Sequence, residues 1–115
     1  MIIVLNKEKI TFIDVSTLKI ARIELKYGKM KQQEEGLRVI YNALKEITEA
    51  TSSDNVIMMV GVATGYANAM QHFNLISSSE LEDIVEVIKY AGNWELSKVK
   101  DFVSEGGTRS AVINN

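Results

Sequence analysis

The sequence predicts an α+β fold: a small N-terminal antiparallel β-meander of about three strands, followed by about four α-helices, the second of them central and buried. Three observations predict it. Residues 2–25 hold short β-branched runs separated by polar turns. From residue 29 the apolar positions change to three- and four-residue spacing. And 115 residues, 46% apolar and 24% charged, are enough for one core without staples. One domain over 1–107 is expected, with 108–115 as a loose C-terminal tail.

The first strand is the apolar run Ile2 to Leu5, closed by the polar tetrapeptide Asn6-Lys7-Glu8-Lys9. Ile10 to Val15 is β-branched and aromatic, a composition that suits a pleated surface. Asp14-Val15-Ser16-Thr17 supplies side-chain oxygens that can close a turn on the backbone. Lys19 to Lys26 completes the meander, and Gly28 ends it. Ala21, Ile23 and Leu25 keep period two there while Ile20 is out of phase. A β-bulge or a short helix after Ser16 would each account for that, so 18–26 stays open between strand and helix.

Met30, Leu37, Ile40, Tyr41, Leu44 and Ile47 form one stripe of an amphipathic helix from Lys29 to about Ala50, and one sheet face is expected to pack on it. Thr51 to Asn55 offers several N-caps for the next helix, Val56 to about Phe73. That helix is apolar nearly all round, the pattern of a segment in the middle of a core. Its apolar stretch is short of the roughly 20 residues that span a bilayer. Ser77 and Ser79 each precede a glutamate by three positions and can open a capping box for a third helix ending at Ala91, with Gly92 as its stop. Asn93 then caps a fourth, which Gly106-Gly107 ends; a short strand could follow at Ala111-Val112-Ile113.

Composition removes several functions. The chain has no cysteine, hence no disulfides, thiolate metal sites or cysteine nucleophile, which suits a cytoplasmic setting. With one histidine, His72, a His-rich metal site cannot form within one chain. No cofactor and no metal are expected. A net charge of −2 gives no global case for nucleic acid or an anionic membrane.

Few constellations could carry chemistry. Gly61-Val62-Ala63-Thr64-Gly65 echoes a phosphate loop, but Tyr66 stands where such a loop needs its lysine. Read as helix, Gly61, Thr64, Gly65, Asn68 and Gln71 or His72 share one face. A tight helix crossing inside the monomer is the favoured explanation, and a subunit or partner interface comes second. His72 with Ser77, Ser78 or Ser79 and Asp83 could in principle make a nucleophilic triad, but no nucleophile elbow is present. A helix-turn-helix over 66–91 is rejected, because its second helix would bring Glu80, Glu82, Asp83 and Glu86 to phosphates. Residues 7–31 carry an excess of +4, so Lys7, Lys9, Lys19, Arg22 and Lys26 could contact nucleic acid from the sheet. Charges that keep a small sheet from aggregating are the plainer account of them.

The expected role is therefore binding: a small soluble, non-enzymatic regulatory protein of the adaptor or inhibitor kind, with another protein as partner and self-association as a homodimer. The interface residues would be Gly61, Thr64, Gly65, Asn68, His72 and Trp94, the last because it opens the fourth helix beside Gly92. The motif-free form resembles that of small single-domain proteins of bacterial mobile elements and phages. Nucleic-acid binding by the basic sheet is the alternative, and an enzyme with a pocket around His72 comes third.

Overall fold

A computed structural model describes residues 1–105. Its elements run β1 (Ile2–Leu5), β2 (Lys9–Asp14), β3 (Lys19–Glu24), α1 (Met30–Thr48), α2 (Ser53–His72) and α3 (Ser78–Glu105). The tail 108–115, the Gly106-Gly107 stop and the short strand at 111–113 lie outside the described residues.

The sheet is an antiparallel meander of order β1-β2-β3. Asn6 shapes the first turn, its side-chain oxygen accepting from the Glu8 and Lys9 amides at 2.8 and 3.2 Å. The second turn rests on buried Asp14, which accepts from Ser16 N and Thr17 Oγ1, while Leu18 takes the left-handed conformation at φ 62°. The register runs without interruption from Lys9 opposite Glu24 to Asp14 opposite Lys19. No bulge or short helix is present at 18–26: β3 is a regular strand, and Ile20 is out of phase because it faces outward, 41% exposed. Ile10, Phe12, Ala21 and Ile23 turn the other way, into the core.

Lys26 to Lys29 is a type II turn, Lys29 N bonding Lys26 O at 2.9 Å with Gly28 at φ 84°, a value an L side chain would resist. α1 then buries Gln33, Leu37, Ile40, Ala43, Leu44 and Ile47 along one stripe. Ser52 caps α2, accepting from Asn55 N at 3.2 Å. A Schellman arrangement ends α2: Asn74 at φ 61°, with Leu75 N reaching back to Met70 O at 2.8 Å. Ser77 and Glu80 form the expected capping box, Glu80 N to Ser77 Oγ at 3.1 Å and Ser77 N to Glu80 Oε1 at 2.8 Å.

Among the described residues the helices number three, not four. α3 runs through Gly92 and Asn93 without a break, so Gly92 is not a stop, Asn93 is not a cap and Trp94 opens no helix. The reason is packing. A Cβ on Gly92 would stand 2.6 Å from Val60 Cγ2, so the missing side chain lets α2 and α3 close on each other. Gly36 plays the same part between α1 and α2, where its Cβ would meet Met70 Sδ at 2.7 Å.

The sheet packs on α3, chiefly through β3, and makes only marginal contact with α1. α2 lies between α1 and α3 but is not the buried post of the fold: only Val56, Ala63, Ala67 and Met70 are buried along its 20 residues. A staple binds these layers. The Gln33 side chain is fully buried, donates to Glu24 O and Leu75 O at 2.9 Å each, and accepts from Lys26 N at 2.8 Å. One amide thus ties the exit of β3, the start of α1 and the α2–α3 connection, with its carbonyl oxygen and amide nitrogen both in use.

Candidate protein-binding surface

α2 presents its outward face to solvent, and that face is apolar. Met58, Val62, Tyr66, Ala69 and Phe73 are all exposed and follow one another at helical spacing, Phe73 as the C-cap. Met58, Tyr66 and Phe73 are 55%, 47% and 67% exposed, far from the burial expected for an oily helix. Gly61 and Gly65 run beside this row, and a Cβ on either would touch nothing within 4 Å. The interior crossing expected there does not exist; the close approaches use Gly36 and Gly92 instead. No Asp, Glu, Lys or Arg occurs between Asp54 and Glu80.

The other residues singled out from the sequence fall as follows. Asn68 is exposed and donates to Thr64 O of its own helix at 2.9 Å, so it bridges nothing. Thr64 is half-buried. His72 is exposed at the end of α2, its ring edge-on to Phe73 at 5.3 Å and 80°. Ser77 Oγ is engaged by Glu80 N and lies 3.2 Å from Ser79 Oγ, Ser78 Oγ meets Gln71 at 3.4 Å, and none of these residues bonds His72. Trp94 is 45% exposed on α3, one turn beyond Tyr90, away from the α2 row. Gly61, Gly65, Asn68 and His72 therefore do share one exposed face, and Trp94 does not join it.

The basic residues of the sheet sit among acids. Lys19 Nζ bonds Glu86 Oε1 at 3.1 Å and lies 4.3 Å from the Tyr90 ring centroid. The hydrogen bond to Glu86, then its charge, push Lys19 above the ordinary lysine value. Lys9 and Arg22 line an open cleft of about 410 Å³ together with Glu24, Ser77, Ser79, Glu80 and Asp83. Three carboxylates there outnumber two cations, which does not favour a phosphate. Lys7 is exposed in the β1–β2 turn and Lys26 half-buried beyond β3.

Sequence reasoning missed Gln33, since a polar residue on a helix signals nothing of its burial. It also missed the exposed apolar row: an all-apolar helix reads the same whether its neighbours surround it or flank it. Among the described residues no group of His, Asp and Glu is placed to hold a metal ion, and no helix is long and apolar enough to cross a membrane. No family model, no curated protein and no solved structure matches the chain.

Proposed function

We propose that the chain acts by binding another protein, as a regulator of the adaptor or inhibitor kind, through the outward face of α2. The observation that carries this reading is the exposed row Met58, Val62, Tyr66, Ala69 and Phe73 on a helix that already packs on both its neighbours. A contiguous apolar patch costs solubility unless something covers it. Gly61 and Gly65 let a partner backbone approach closely, and the flanking side chains give the contact its area. The face is uncharged from Asn55 to Ser79, so it suits an apolar helix or groove and not a charged peptide, a nucleic acid or an anionic lipid surface.

The test is site-specific photo-crosslinking in the native host. A photoreactive phenylalanine at Val62 is expected to trap a protein that the same probe at exposed Arg38 on α1 does not trap. Val62→Asp is expected to abolish capture while leaving helical circular dichroism unchanged. Equal trapping from both positions, or capture that survives Val62→Asp, would overturn the reading.

A further inference from the structure

We propose that β1 is the seam of a homodimer: it pairs antiparallel with β1 of a second copy, Ile3 opposite Leu5 of the partner, to make one six-stranded sheet. The proposal does not use the α2 face.

It starts from a mismatch between sequence and position. β2 alternates between outward and core-facing residues, as a strand with one wet face should. β1 does not alternate. Ile2, Ile3, Val4 and Leu5 are all apolar, the pattern of a strand buried on both faces in the interior of a sheet. Yet among the described residues β1 stands at the edge of the sheet, and all four of its residues are exposed, Leu5 at 63%.

The two edges of the sheet are treated differently. β3 carries Lys19, Arg22 and Glu24, α3 lies against it, and its Glu24 amide is taken by Glu80 Oε2 at 2.8 Å. Those are the devices that blunt an edge. β1 has none: no charge, no proline, no bulge. Asn6 N bonds Lys9 O at 3.1 Å, which fixes the phase of the ladder. By alternation Ile2 and Val4 bond β2, and the N–H and C=O of Ile3 and Leu5 point to the open edge.

A second copy of β1 fits this edge on every count. Ile3 facing Leu5 of the partner, twice by symmetry, pairs every open backbone group of those residues. An uncharged strand meets no like charge across a twofold axis, which a charged one would. The axis stands perpendicular to the sheet, so both helical layers lie on the same side. Ile3 and Leu5 share the side of Phe12 and Ile10 and stay exposed there. In the dimer these residues from both copies meet between the two helical layers. On the opposite side, Val4 sits on the axis against Val4 of the partner, as a non-hydrogen-bonded pair.

That pair gives the test. The chain has no cysteine, so Val4→Cys introduces a lone thiol. Cα atoms of a non-hydrogen-bonded pair are about 4.5 Å apart, within the range a disulfide accepts. Under mild oxidation, Val4→Cys is expected to form a covalent dimer about a hundredfold faster than Ile3→Cys, since the seam sets position 4 against its own copy while position 3 faces Leu5 of the partner. In sedimentation the full chain is expected at dimer mass. Ile3→Pro removes a donor only the partner uses, and Leu5→Lys places a charge in the seam; each is expected to give a monomer, whereas Val62→Asp is expected to stay dimeric. If a strand variant fails to fold, the cysteine comparison still decides. A wild-type monomer at all concentrations, a dimer that persists in both folded strand variants, or equal disulfide rates at positions 3 and 4 would each overturn the seam.

Discussion

α1 and α2 are neighbours of nearly equal length, 19 and 20 residues, and they use apolar side chains in opposite ways. α1 is the more polar helix, yet it buries six residues, because its apolar positions gather on one stripe. α2 is richer in apolar residues and buries four, because they are spread round the helix and its neighbours cover only part of it. Sorting of apolar residues, more than their number, decides which helix holds the core. The surplus on α2 stays exposed to solvent.

The comparison can be broken by substitution, and the largest effect belongs to α1. Gln33→Leu leaves Lys26 N, Glu24 O and Leu75 O without their partner in a buried site, and should cost on the order of 3–5 kcal/mol in urea denaturation. Leu44→Ala opens a cavity in the α1 stripe and should cost about 2–5 kcal/mol. Val62→Ala, an equally apolar truncation on α2, should stay within about 0.5 kcal/mol of the parent.

The glycines sharpen the same contrast. Gly92→Ala pushes a Cβ into Val60, a stiff β-branched side chain, and should lower stability by about 1–2 kcal/mol despite a better helix propensity. Gly65→Ala meets open space and should raise stability by up to about 1 kcal/mol. A melting temperature that falls for Gly65→Ala and rises for Gly92→Ala would exchange the roles assigned to the two faces. The smallest effect concerns Lys19. Its value is raised by Glu86, so the contribution is present below the ordinary lysine range and lost as pH rises through the folded value. Glu86→Gln should return the Lys19 amine toward 10.5 in an NMR titration with little change in stability, because the pair is exposed to solvent.

Local chemistry made much of the fold legible. Short apolar and β-branched runs between polar turns marked the strands, and Ser52, Ser77 and Glu80 marked helix starts that the structure realises. What was illegible depends on neighbours. Gly92 reads as a stop when seen alone and as a notch once Val60 faces it. Gly61 and Gly65 read as a crossing, yet their spacing cannot say whether another helix lies there. Gln33 signals its burial only through backbone groups that come from two distant connections. On α2, helical spacing put Gly61, Thr64, Gly65, Asn68 and His72 on one face, where all but half-buried Thr64 are exposed, whereas the apolar row beside them was assigned to the core.

The most direct measurement is urea denaturation of Val62→Asp beside the parent chain. A charge placed on a free surface should leave the unfolding free energy within about 0.5 kcal/mol of the parent, with the partner contact alone lost. A loss of several kcal/mol would mean that this side of α2 is buried within the monomer, and would contradict the account.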